Sequence, residues 1–195
     1  MYHGFKRFLD VVIALLFLMC SLPVAVLVGI IIFIDSGEPI FFFQERVGKD
    51  GIPFKMFKFR SMIKNAEEHT GPVWAKKNDP RITRAGRVIR PFRLDEIPQL
   101  VNVLRGEMSI IGPRPERQCF VSELNNHIAD YHQRLRIRPG ITGLAQIVHK
   151  YDTSIADVKK KIELDLYYID NLSFALDMEI LIKTVGVMLK GKGAH

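Results

Sequence analysis

The sequence predicts an α+β fold, mostly α: an apolar N-terminal helix joined to a small helical domain that carries one short β-hairpin. Three observations predict it. The run from Val11 to Ile34 contains no charged residue. Two short aromatic-rich stretches flank the turn Gly48-Lys49-Asp50-Gly51. Downstream, apolar residues recur mostly at helical spacing. With 195 residues the chain is one domain, or one domain with an appendage, and it can bury a real core.

The apolar run comes first. As a helix it is roughly 36 Å long, against about 30 Å for the hydrocarbon core of a bilayer. It has no small-residue cleavage pattern and exceeds the apolar stretch of a signal sequence, so a removed leader is not expected. Pro23 sits mid-run. It cannot donate to the Met19 carbonyl and its ring clashes there, while Ser21 is placed to satisfy a freed backbone group. Each half is about 18 Å long, too short to cross alone. A kinked spanning helix and a re-entrant helix-break-helix both fit these residues. Lys6 and Arg7 precede the run, and Arg46, Lys49, Lys55, Lys58 and Arg60 follow it. Basic residues on both sides point both ends toward the cytoplasm.

Ile40 to Arg46 and Ile52 to Arg60 are the hairpin strands. Phe54 and Met56 alternate with Lys55, and the period slips at Phe57. Lys58 and Arg60 end the second strand, where lysines ordinarily face solvent. Ser61 to His69 reads as a helix capped by Ser61. Gly71 to Pro80 is a loop holding Trp74, as a substrate lid or simply a covered loop. Thr83 caps a short helix that Pro91 ends. Asp95 reads as the N-cap of the next helix, with Pro98 at its third position and Leu100, Val101 and Leu104 as its buried stripe. Arg117 to Arg136 reads as one amphipathic helix with Phe120, Leu124, Ile128, Tyr131 and Leu135 facing the core. Ser154 to Ile169 and Phe174 to Lys190 are the last two helices. The final one carries Met178, Leu181, Ile182, Val185, Met188 and Leu189 on one stripe, packed on the domain or laid at a membrane surface.

The chemistry concentrates between Thr83 and Glu116. Arg84, Arg87, Arg90 and Arg93 gather before two adjacent acids, Asp95 and Glu96, and the stretch closes on Gly112-Pro113-Arg114-Pro115. Arginine forks match phosphate oxygens, and magnesium takes one or two carboxylates plus phosphate oxygens. The bland alternative, a capping aspartate and a solvated basic face, is compatible with this, since a helix start offers amide donors to an anion. Arg138 stands before Pro139-Gly140-Ile141-Thr142-Gly143, a turn whose backbone donors can also hold phosphate. The net charge of +7 points to an acidic partner: nucleic acid, anionic lipid or a phosphorylated substrate. Nucleic acid is disfavoured because the arginines centre on carboxylates. Cys20 and Cys119 lack metal spacing and are expected as buried, reduced thiols. The six histidines form no HxxxH or HExxH pattern, which argues against a histidine-bound metal.

The motifs, in order, resemble a known family. They are Lys6-Arg7-Phe8-Leu9-Asp10, Lys58-Phe59-Arg60-Ser61-Met62, Gly86-Arg87 with Arg90, and Leu94-Asp95-Glu96-Ile97-Pro98-Gln99-Leu100. After these come Asn102-Val103-Leu104, Met108-Ser109, Gly112-Pro113-Arg114-Pro115, Arg138-Pro139-Gly140-Ile141-Thr142-Gly143 and Asp165-Leu166-Tyr167-Tyr168. Over nearly its whole length the chain resembles the bacterial sugar transferases, the monotopic phosphoglycosyl transferases. The resemblance implies a re-entrant membrane helix over residues 1–36, broken near Ser21 and Pro23, and a catalytic domain with interfacial helices over 37–195. That domain would sit on the cytoplasmic face of the bacterial inner membrane. Family members often carry serine directly before the breaking proline, whereas here the order is Ser21-Leu22-Pro23.

The implied reaction moves a sugar-1-phosphate from a UDP-sugar to polyprenol (undecaprenyl) phosphate, releasing UMP, as the first membrane step of glycoconjugate assembly. Asp95 matches the family nucleophile and Glu96 its partner acid. With this reaction in mind, Mg2+ would bridge Asp95 and the diphosphate, and Lys58, Arg60, Arg87, Arg90, Arg114 and Arg138 would hold phosphate oxygens. Both substrates are polyanions, so a carboxylate nucleophile that divides the transfer into two displacements suits them. Sugar specificity is expected in the loop around Trp74 and in Val148 to Thr153. Exposed helices on a small domain are compatible with a homodimer.

Overall fold

The structure, a computed structural model, describes residues 2–68, 71, 79–148 and 155–189. Trp74 and residues 149–153, expected to shape specificity, lie outside the described residues.

Helix α1 (Tyr2–Ser36) holds the apolar run. Only 11% of its most apolar window is buried, so it is not a core helix. Lys6, Asp10, Ala14, Val28, Gly29 and Ile32 are buried. Half-buried Leu18, Ser21 and Ala25 join them at helical spacing, so one stripe of α1 faces the domain from end to end while the remaining faces stay open. The expected break does not interrupt it: α1 runs on through Pro23. Ser21 Oγ donates to the Leu18 carbonyl (3.4 Å) rather than to that of Met19, which Pro23 leaves unbonded.

Both ends of α1 dock on the same body. Near the start, Lys6 pairs with Asp177 (2.7 Å) and Arg7 donates to the Val103 and Leu104 carbonyls (2.7 and 3.1 Å). Asp10 accepts from Ser109 Oγ and the Ile110 amide (each 3.0 Å). Near the end, Val28 and Ile32 pack with Phe59, Ala85 and Ile89. Asp35 accepts from the Ala85 amide (2.9 Å), and Arg60 donates to the Ser36 and Gly37 carbonyls (2.8 and 2.6 Å).

Strands β1 (Phe41–Val47) and β2 (Pro53–Phe59) form the expected antiparallel hairpin, with Phe43 opposite Phe57 and Glu45 opposite Lys55. Its turn places Asp50 and Gly51 at positive φ, as that turn chemistry requires. Phe54 and Met56 point into a core shared with Ala14, Val103, Met108, Tyr168 and Ile180.

Helices α2 (Arg84–Ile89) and α3 (Gln99–Arg105) flank a 3-10 turn over Leu94–Glu96. Thr83 caps α2 as expected, accepting from the Gly86 amide (2.9 Å). Two three-residue strands, β3 (Ser109–Ile111) and β4 (Gly140–Thr142), pair in parallel. They bring the two glycine-proline motifs together. A Cβ on Gly140 would meet the Gly112 amide nitrogen at 2.1 Å, so this contact admits no side chain. Helices α4 (Gln118–His127), α5 (Leu144–Val148), α6 (Ile155–Asp170) and α7 (Phe174–Leu189) complete the described fold.

Four expectations are corrected. Residues 61–68 are not helical: Met62 bridges Ile82, Ile63 bonds the Arg81 carbonyl (2.8 Å), and pairing across the chain overrides local propensity. The helix expected over Arg117 to Arg136 divides into α4 and a 3-10 segment, Tyr131–Arg136, with Ile128 extended between them. Weak helix formers Asn125 and Asn126 precede that break. Asp95 does not cap α3; it lies in the preceding 3-10 turn, and Pro98 holds the cap position. Cys20 and Cys119 are free but exposed, not buried.

Candidate active site

The site forms where β2, the 3-10 turn and the segment after β3 converge. Lys58 continues the inward series of Phe54 and Met56, so its ammonium enters the interior instead of the solvated edge expected for it. Arg93 adopts the left-handed conformation (φ 54°, ψ 25°), which turns the chain sharply into Leu94. A non-glycine residue holding this strain marks a position determined by its surroundings.

Glu96 gathers three cations. Its Oε1 meets Lys58 Nζ at 3.2 Å and Arg114 Nη2 at 3.3 Å, and its Oε2 meets Arg93 Nη1 at 3.2 Å. Burial works to raise this carboxyl, but Lys58, Arg114 and Arg93 outweigh it and hold Glu96 well below the ordinary carboxylate range. Asp95 is equally buried, and among the described residues its side chain makes no hydrogen bond or ion pair. Burial pushes its carboxyl up, against the pull of Lys58, Arg90 and Arg114 and with the added repulsion of Glu96. The two neighbouring acids are thus divided in role: one is saturated with cations, the other is ready to take a partner.

The expected site residues fall into two groups. Asp95, Glu96, Lys58 and Arg114 share one cluster. Arg90 acts on Asp95 through its charge and donates to Ser61 Oγ (3.3 Å). Elsewhere, Arg87 is exposed on α2. Arg60 clasps the end of α1, and Arg138 Nε donates to the Gly106 carbonyl (2.8 Å) at the far end of α3 from the acids. Expected as phosphate ligands, both direct their guanidinium groups to backbone carbonyls in this structure. Arg93, one of the gathered arginines but not among the expected site residues, joins the cluster through Glu96, and its spacing three before that acid is the sequence signal for the pairing.

Among the described residues no group of three His, Cys, Asp or Glu could hold a metal by itself. The donor that fits a hard divalent cation is the unpartnered carboxylate of Asp95. Magnesium suits such a sparse protein ligand set when phosphate oxygens and water complete the shell.

A family described as bacterial sugar transferase matches residues 1–191. The UDP-N-acetylgalactosamine-undecaprenyl-phosphate N-acetylgalactosaminephosphotransferase of Aeromonas hydrophila is 44% identical over 194 residues, covering 100% of this chain and 46% of the relative. The UDP-galactose-lipid carrier transferase of Erwinia amylovora is 42% identical, covering 97% of this chain and 41% of the relative. The chain therefore spans less than half the length of these two. A putative undecaprenyl-phosphate N-acetylgalactosaminyl 1-phosphate transferase of Bacillus subtilis is 47% identical, covering 75% of this chain and 84% of the relative.

Proposed function

The chain belongs to the bacterial sugar transferase family, and from that premise we propose that it is a membrane phosphoglycosyl transferase. It moves a sugar-1-phosphate from a UDP-sugar to polyprenol phosphate and releases UMP, starting the assembly of a glycoconjugate. The observation that carries this reading is the unpaired, buried Asp95 beside a Glu96 already neutralised by Lys58, Arg93 and Arg114.

Asp95 is the nucleophile. An oxygen of its carboxylate attacks the sugar-bearing phosphorus, the bond to the bridging oxygen breaks, and UMP leaves with that electron pair. The phosphate of polyprenol phosphate then attacks the aspartyl-phosphosugar and returns the Asp95 carboxylate. Arg114 and Arg90 bind phosphate oxygens and favour charge developing on the leaving group. Glu96 holds Lys58, Arg93 and Arg114 in place. A general-base role for it is unneeded, because the acceptor is already an anion. Asp95 would hold Mg2+ together with phosphate oxygens of the donor, and the ion would supply charge neutralisation there.

We further propose that α1 is re-entrant, with both ends and the catalytic domain on the cytoplasmic face of the inner membrane. The docking of both ends on one body supports this.

The test is incubation with UDP-N-acetylgalactosamine, UDP-galactose or UDP-glucose, without acceptor. One donor should release UMP up to one equivalent and leave labelled phosphosugar on the protein. Polyprenol phosphate should then discharge it. Asp95→Asn should abolish both; a variant that kept its label would sink the assignment.

A further inference from the structure

Arg114 reaches the site from a turn with no regular structure of its own, Gly112 to Glu116. Four donors from outside hold its backbone, one of them the Gly140 amide, which donates to the Pro113 carbonyl (2.9 Å). Arg134 Nη2 donates to the Arg114 carbonyl (2.9 Å), Arg46 Nη1 to the Pro115 carbonyl (3.0 Å), and the Val47 amide to the Glu116 carbonyl (2.8 Å). Among these, Arg134 acts on the arginine itself. Its guanidinium is sealed: the side chains of Arg134 and Asp165 are each 2% exposed, and the pair meets at 2.7 Å. The other terminal nitrogen, Nη1, donates to Tyr131 Oη (3.0 Å). A planar fork fixed on one side by a carboxylate and on the other by a phenol has little freedom left.

We propose that Arg134 is a positioning residue for the transfer reaction. Anchored by Asp165 on α6, it pins the backbone of Arg114 so that the Arg114 side chain stands beside Glu96 and the phosphates. This rests on the reading of Arg114 as a phosphate ligand. Lysine in place of Arg134 keeps the charge facing Asp165 but is a single point donor. It cannot span Asp165, Tyr131 and the Arg114 carbonyl in one rigid plane.

The test is a double-mutant cycle on UMP release in a single turnover at saturating donor. It uses the full chain in detergent and whichever of the three UDP-sugars the wild type turns over. Arg134→Lys should slow release about 100-fold, the scale set by misplacing a group by roughly 1 Å. In an Arg114→Ala background the same change should cost less than about threefold, since coupled residues do not add. Tyr131→Phe removes the Nη1 contact but not the bond to Arg114, and should slow release by less than Arg134→Lys does, with its loss likewise shrinking in the Arg114→Ala background. Assays run well below the lowest melting temperature in the set. Should Arg134→Lys not fold, Asp165→Glu carries the same cycle. An equal loss in both backgrounds overturns the inference alone, showing a general effect on the fold. An unchanged rate in Arg114→Ala by itself overturns the placing of Arg114 in the site, and the inference with it.

Discussion

Asp95 occupies a place where its charge is unfavourable, and the consequence can be measured. Its folded pKa is raised, so the stability linked to it is full below the ordinary aspartate value of about 3.9 and is lost as pH rises through the folded value. Asparagine stays neutral throughout. Asp95→Asn should therefore melt higher than wild type near neutral pH, with the gain shrinking in acid, while losing all transfer. A variant that melts lower at neutral pH would contradict this. Glu96 has the opposite sign. Its folded pKa is depressed, so its stabilisation is present above the ordinary glutamate value of about 4.3 and is lost only as pH falls through the much lower folded value. Glu96→Gln leaves three partly buried cations against one another and should lower stability at neutral pH, by less than the roughly 3–5 kcal/mol of a fully buried pair because Arg114 is a third exposed, read by chemical denaturation. The adjacent acids were legible in the sequence; their division of labour was not. It depends on Lys58, delivered by a strand, and on Arg114, delivered by a turn eighteen residues later. The same limit explains Arg60 and Arg138, whose charge was visible while the carbonyls that engage them were not.

At the scale of elements, periodicity carried most of the reading. The hairpin was legible from its turn residues, α2 from the Thr83 cap and α7 from its stripe, and α6 was placed as well, each to within a residue. What escaped was structure made by distant partners. Strands β3 and β4 are three residues each and nearly thirty apart in sequence, too short to show a period, and they exist because each completes the other. Their junction should be intolerant of volume. Gly140→Ala puts a methyl group within 2.1 Å of the Gly112 amide nitrogen, and either strand must shift. The expected cost is about 1–3 kcal/mol, or failure to fold, with activity falling because Gly112 leads directly to Arg114. Melting temperature and UMP release measure the two effects separately. Wild-type values for both would show that the strands lie further apart.

At the scale of the whole molecule, α1 is tied down twice. His3 and Glu38 are exposed near its two ends, so each can be replaced by cysteine in a chain whose Cys20 and Cys119 are changed to serine. Both should resist an impermeant thiol reagent in intact spheroplasts and react once the membrane is opened. Labelling of one end from outside would refute the re-entrant topology. The stripe of α1 that faces the domain also separates it from an ordinary anchor. Any foreign spanning segment of equal greasiness could keep the protein in lipid. It would carry no Arg7 for the Val103 carbonyl, no Asp10 for the Ile110 amide and no Asp35 for the Ala85 amide. Grafting such a segment would deliver the protein to the right address with its walls unsupported, so this helix belongs to the architecture of the folded body and is not an interchangeable tether.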